Sequence, residues 1–235
     1  MKPVAIFRHA PIEGPGYFAT VLDSHRIPWQ LIKVDAGEAV PADPRAFSGF
    51  AFMGGPLSVN DDLPWIAPAL ELIRASVDAD VPVIGHCLGG QLMAKALGGT
   101  VSRNPVKEIG WGDVSVVDAP LARLWFGHVP PSFVSFHWHG ETFSIPPGAQ
   151  RVLFNTYCEN QAFALDRHLG LQCHIEMTHE MIDKWCVAGA REIRRSKSPA
   201  VQPVDVIKTD IEQRLAALHR VADGVYRRWI AGIRP

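Results

Sequence analysis

The tightest constraint on the fold lies in the first hundred residues. Short, almost wholly apolar runs, "PVAIF" at 3–7, "WQLIKV" at 29–34, "GFAFMGG" at 49–55 and "VPVIG" at 81–85, alternate with stretches of helical spacing at 16–26 and 67–80. Strands without polar alternation belong in a sheet covered on both faces, and strands separated by helices join in parallel. The expected class is therefore α/β: a mostly parallel central sheet with helices on both faces. In such sheets the chemistry collects beyond the carboxyl ends of the strands.

After Gly99 the pattern changes. The stretches 111–118, 131–143, 151–156, 161–166 and 169–176 read as further short strands, an antiparallel element joined to the main sheet. Residues 204–230 read as one helix with an apolar stripe of Ile207, Ile211, Leu215, Leu218, Val221, Val225 and Trp229, expected to pack on the domain edge. No low-complexity linker divides the 235 residues, of which 47% are hydrophobic, enough for one core. The expectation is a single domain over 1–235, with about 186–235 as a helical C-terminal extension.

The formal net charge is −1. That balance gives no reason to expect a nucleic-acid or membrane partner, and "REIRRSK" at 191–197 reads as a solvated helix end or loop. The four cysteines, Cys87, Cys158, Cys173 and Cys186, match neither a zinc ribbon nor a short-loop disulfide framework. The N-terminus lacks a signal-like apolar region and no run is long enough to span a bilayer. These readings predict a cytoplasmic protein with reduced thiols.

In "VPVIGHCLGGQLMAKALGG" (81–99) a strand breaks into a sharp turn that opens a helix, and Cys87 sits on the turn. This is the geometry of a nucleophile elbow. Gly85 and Gly89 relieve the crowding, the helix N-terminus favours a thiolate, and the Leu88 N–H is left free for an oxyanion. A thiolate needs a proton shuttle and the shuttle an orienter. "LQCHIE" (171–176) offers both: on a strand, His174 and Glu176 face one way with Gln172, and Cys173 and Ile175 the other. "HWHGE" places His137, His139 and Glu141 at a spacing that could hold a metal. His86, on the turn, is expected to point away from the nucleophile. His9 reads as a surface-loop histidine.

These motifs resemble those of the class I glutamine amidotransferases over about Phe50–Glu176. "MGGPLSVNDDLPW" (53–65) is similar to that family's oxyanion loop, "GHCLGGQLMAKALGG" (85–99) to its nucleophile segment, and "HIE" (174–176) to its His-x-Glu; "KEIGW" (107–111) and "FHWHGETFSIPPGA" (136–149) match connecting segments. The resemblance implies a flavodoxin-like amidotransferase fold, with Cys87 as nucleophile, His174 as base and acid, and Glu176 as orienter. It implies oxyanion donors from the backbones of Gly55 and Leu88, with Gly54 and Gly55 allowing close backbone approach to the reacting carbonyl. Gln91 is expected near the polar end of glutamine and His139 in the pocket lining, with no metal and no cofactor. Two positions depart from the family pattern: Gly90 replaces a bulky residue, read as leaving room in the substrate pocket, and Ile175 replaces a proline.

The implied reaction is hydrolysis of a γ-glutamyl amide, glutamine to glutamate and ammonia, through a γ-glutamyl thioester. Ammonia would be released or passed to a synthetase on a separate chain. The alternatives are a stand-alone γ-glutamyl peptidase acting on glutathione-like compounds and a non-catalytic regulatory module on the same fold. The oligomeric state stays open.

Overall fold

A computed structural model describes residues 1–233. In chain order its elements are β1 (Val4–Arg8), α1 (Gly16–Ser24), β2 (Trp29–Lys33), β3 (Gly49–Phe52), α2 (Ile66–Asp78), β4 (Val83–His86), α3 (Leu88–Ala96), β5 (Val101–Val116), α4 (Pro120–Phe126), β6 (Ser132–Phe143), β7 (Gln150–Phe154), β8 (Ala162–Leu165), β9 (His168–Leu171), α5 (His179–Ala188), α6 (Ala190–Arg195), β10 (Ala200–Val201), α7 (Val204–Lys208) and α8 (Ile211–Ala231).

The strands form one sheet in the order β10-β5-β7-β8-β9-β4-β3-β1-β2, with β6 also paired to β5. From β2 to β9 every pairing is parallel; from β9 through β8 and β7 to β5 and β6 every pairing is antiparallel. The fold is thus the expected α/β class, with the antiparallel element continuing the same sheet.

Alternation along β1 shows why both faces must be covered. Val4 and Ile6 enter one core with residues of α1, α4, α5 and α8, while Ala5 and Phe7 enter the other with residues of α2 and α3. At about 25 cal/mol per Å² of apolar surface, these two layers supply the main stabilisation.

Two expectations about the chain's later half change. Residues 204–230 are two helices, not one, because Asp210 takes a left-handed conformation at φ 52°, which aspartate tolerates better than most residues. The apolar stripe is buried as expected, but α8 lies across the sheet face rather than at an edge. Trp229 covers the backbone at Gly49 so closely that a Cβ there would sit 2.7 Å from its ring, and it meets Phe18 edge-on. Second, β9 ends at Leu171. His174 is held instead by a single antiparallel bridge to Phe136 of β6, with His174 N–H donating to Phe136 O at 2.8 Å.

All four cysteines are unpaired. Among the described residues no helix is long and apolar enough to cross a membrane.

Candidate active site

The carboxyl ends of β1, β3 and β4 open into a cleft of about 750 Å³. Cys87 stands at its floor, between the last residue of β4 and the first of α3. Its φ of 50° with ψ of −106° is a strained backbone for a residue with a Cβ, a cost of roughly 1–3 kcal/mol that the surroundings must over-determine. They do so from two sides. The Cys87 N–H donates to Leu171 O at 2.8 Å, fastening the turn to β9. Gly85 and Gly89 interlock, for a Cβ on Gly85 would lie 2.4 Å from the Gly89 carbonyl and one on Gly89 1.9 Å from Phe52 O.

Gly90 does not leave room in the cleft. A Cβ there would lie 2.3 Å from Leu171 O, so this glycine lets α3 press onto β9, and the pocket reading of that position is set aside.

His174 lines the same floor and Glu176 lies behind it, both almost fully buried. His174 Nδ1–H donates to Glu176 Oε1 at 2.5 Å, and Trp185 packs edge-on against the imidazole with centroids 4.9 Å apart. Among the described residues no nitrogen or oxygen partner takes Nε2, and the Cys87 sulfur is the group that interacts with this side of the pair. Burial works against a charged imidazole, but the Glu176 carboxylate and the Cys87 sulfur outweigh it and raise the His174 pKa well above its usual value. For Glu176, burial raises the pKa, and His174, then His86, more than offset it.

His86 points away from Cys87, as expected, but into a specific contact. Its Nε2 shares a 3.0 Å hydrogen bond with Tyr226 Oη on α8 and lies 3.9 Å from Glu176 Oε2. Burial lowers its pKa, so a neutral ring backs the carboxylate.

His9 is a correction. It is buried, not on the surface, and its Nδ1 faces the Met53 and Gly54 carbonyls at 3.0 and 3.3 Å. Burial lowers its pKa to about 4, so Nδ1–H donates from a neutral ring. The ring props the turn at Gly54 and Gly55. Gly55 lines the cleft, and a Cβ on it would meet Leu88 and His9. Among the described residues, no acceptor takes the N–H of Gly55 or of Leu88.

Gln91 also lines the cleft. Its Nε2 donates to Gln172 Oε1 at 3.1 Å, and Gln172 Nε2 approaches Cys87 Sγ at 3.5 Å, so the Gln91 carbonyl oxygen remains available. His139 is at the cleft wall, but both ring nitrogens face protein: Nδ1–H donates to Glu141 O at 3.0 Å and Nε2 lies 3.0 Å from Glu108 Oε2. It shapes the wall, with Nε2 turned to the Glu108 carboxylate.

The triplet His137, His139 and Glu141 does not form. The Glu141 carboxylate accepts from Ser58 Oγ at 3.1 Å. The group whose ligand atoms converge, all within 4.8 Å of one another, is Glu108, His137 and His139. Glu108 is already hydrogen-bonded by Asn155 Nδ2 and Gln161 Nε2 at 2.6 and 2.8 Å, which gives it a structural role tying β5 to the strands beside it.

The cleft also contains four groups to which the sequence motifs give no role: Glu13, Lys107, Trp138 and Glu192. Lys107 pairs with Glu192, which also accepts from Trp138 Nε1 at 3.0 Å. Lys107 and Trp138 lie inside quoted segments, and Glu13 carries a signal of its own, a carboxylate in "EGPG" a few residues beyond the carboxyl end of the first strand.

The thiols differ in kind. Burial pushes Cys158 up to about 11 and Cys173 up to about 12, and raises Cys186. Cys87 lines the cleft at a helix N-terminus. Limiting iodoacetamide is therefore expected to label Cys87 first. Peptide mapping that finds another cysteine labelled ahead of it would count against a thiolate at this position.

Comparison with known proteins places this geometry. A family model described as glutamine amidotransferase class-I matches residues 23–188. The crystal structure of a glutamine amido transferase from Methylobacillus flagellatus superposes with a TM-score of 0.97 at 45% identity, covering 100% of this chain and 96% of that one. The glutamine amidotransferase-like protein YfeJ of Salmonella typhimurium is 32% identical over 74% of this chain and 76% of its own length. A GMP synthase of Aeropyrum pernix is 32% identical over 77% of this chain but only 34% of that protein, and γ-glutamyl peptidase 4 of Arabidopsis thaliana is 26% identical over 70% and 68%. With its α/β sheet, its elbow and its motifs in register, the chain belongs to the class I glutamine amidotransferase family.

Proposed function

We propose that the protein hydrolyses a γ-glutamyl amide through Cys87, His174 and Glu176. The observation that carries this reading is the convergence of a strained elbow cysteine and a buried His174–Glu176 pair, 2.5 Å apart, on one cleft floor.

His174 Nε2 takes the thiol proton and Cys87 Sγ attacks the γ-carbonyl carbon. The oxygen gains charge and receives the N–H groups of Gly55 and Leu88. The tetrahedral intermediate collapses as His174 gives its proton to the departing nitrogen, so the C–N bond breaks and a γ-glutamyl thioester remains. Water then enters, His174 takes its proton, the hydroxide adds to the thioester carbon, and Cys87 leaves with glutamate released. Splitting the reaction at a thioester replaces one difficult step by two easier ones. Glu176 holds the ring so that Nε2 faces sulfur, and stabilises the imidazolium. The Gln91 carbonyl oxygen receives a polar hydrogen of the γ-glutamyl moiety. On this reading residues 1–235 act as one domain with 186–235 as its extension, and ammonia is released or delivered to a synthetase on a separate chain.

One observation favours a second reading. A cleft of about 750 Å³ lies toward the upper end of the roughly 300–1,000 Å³ usual for small-molecule sites. That leaves room for more than an –NH2 leaving group, as a γ-glutamyl peptidase needs.

The deciding experiment is to incubate the purified protein with glutamine and, separately, with a γ-glutamyl dipeptide, and to measure glutamate. Measurable release from glutamine is expected. Efficient cleavage of the dipeptide with glutamine untouched would replace the first reading by the second. No release from either, with or without Cys87 alkylation, would leave only a non-catalytic binding role.

A further inference from the structure

Among the cleft groups that the mechanism above does not use is a carboxyl group. Glu13 follows β1, only 8% exposed, and its carboxyl group has no hydrogen-bond or ion-pair partner among the described residues. The carboxyl group faces the cleft with no protein donor on it, a position in which a ligand donor would satisfy it, and the loop's backbone is held in place. Glu13 N–H donates to Ala10 O at 3.0 Å, Trp185 Nε1–H donates to Ile12 O at 3.0 Å, and Tyr17 N–H donates to Glu176 O at 2.8 Å. The loop is thus tied after Glu13 to Glu176 itself and before it to Trp185, the residue that packs on the His174 ring.

The position of the carboxyl group is equally specific. A Cβ built on Gly54 would lie 2.8 Å from Glu13 Oε2 and 3.1 Å from His174 Cε1, so carboxylate and imidazole flank one point. Burial raises the Glu13 pKa to about 7, His174 lowers it and Glu176 raises it; in either protonation state an acceptor oxygen remains.

The reaction geometry says which donor can reach it. With the carbonyl oxygen turned to the Gly55 and Leu88 N–H groups, the departing nitrogen must face His174, from which it takes its proton. Glu13 stands beside that imidazole. An amide nitrogen is a poor base while planar, and it accepts a proton only once its lone pair turns out of conjugation. An acceptor that holds one N–H fixes which way the lone pair points.

We propose that Glu13 is the leaving-amine subsite: its carboxyl oxygen accepts an N–H of the scissile γ-amide while His174 delivers the proton to the same nitrogen. The C–N bond breaks and the thioester forms as before, and Glu13 neither gains nor loses a proton. This rests on the Cys87–His174–Glu176 reading and adds to it a ligand class, amides bearing at least one N–H.

The test compares L-glutamine with the γ-methyl ester of L-glutamate, whose leaving oxygen carries no hydrogen. In Glu13→Met, which removes the acceptor, the ratio of kcat/KM for amide over ester is expected to fall on the order of tenfold relative to wild type. Glu13→Gln keeps an acceptor oxygen and should recover part of that ratio. An unchanged ratio in Glu13→Met, whether both activities fall together or neither falls, overturns the assignment. A wild-type protein that turns over neither compound nor a γ-glutamyl dipeptide overturns the underlying Cys87 reading instead, and is told apart because no ratio can then be formed.

Discussion

Replacing Cys87 by alanine is expected to lower γ-glutamyl hydrolysis by at least about a thousandfold, the scale seen when a covalent nucleophile is removed, and to leave the fold intact. Apart from its interaction with His174, the sulfur's contacts among the described residues are weak, to Trp138 O at 3.8 Å and Gln172 Nε2 at 3.5 Å. The turn is held by backbone: the Cys87 N–H to Leu171 O bond and the interlock of Gly85 with Gly89. Alanine keeps the Cβ and therefore the same strain. Serine should behave alike, since its hydroxyl is far less ionised than a thiol. Steady-state turnover and a thermal melt together check this, and near-normal turnover in either variant would remove Cys87 from the chemistry.

Glu176→Gln comes next in expected effect. Exchanging the orienting carboxylate for an amide elsewhere costs about 10⁴ in kcat, because the imidazole is then held in the wrong tautomer; here a loss on the order of a thousandfold in kcat is expected, with KM little changed. The titration of His174 gives an independent readout. Burial opposes its charge and Glu176 is the larger of the two groups that restore it, so the variant should show a lower His174 pKa by NMR. The pair also shapes stability. His174, raised above 6.5, contributes stability that is full below 6.5 and lost as pH rises through its folded value. Glu176, lowered below 4.5, contributes stability present above 4.5 and lost as pH falls through its folded value. A kcat within tenfold of wild type, or an unmoved His174, would rule out the orienting role.

What the sequence makes legible is what is written locally. Apolar runs separated by helical spacing lead to the parallel half of the sheet, and a cysteine ringed by glycines can be read as an elbow because turn, helix start and nucleophile occupy adjacent positions. His174 and Glu176 are legible as a pair through their separation of two, although the strand meant to carry them stops at Leu171. Contacts made by distant segments are not. Glu108 joins His137 and His139 only because β5 carries an irregularity between Arg103 and Glu108, which puts residue 108 opposite residue 139; spacing alone selects Glu141. His9 looks like a loop histidine until the Met53–Gly54 turn closes on it. Gly90 faces β9 and not substrate, a matter of helix rotation that no motif encodes.

The contact between Tyr226 and His86 bears on how this protein could be cut or grafted. The family-matched stretch ends at residue 188 and begins at residue 23. A fragment trimmed to those limits would discard β1, the strand that joins β2 to β3, along with His9 and Glu13. It would also strip Tyr226 from the ring behind Glu176 and Trp229 from Gly49. The family's recognisable stretch is therefore not a transplantable module here: a chimera or crystallisation fragment has to carry both flanks, since one supplies His9 and Glu13 and the other supplies Glu192 and the tyrosine that backs the His86 ring.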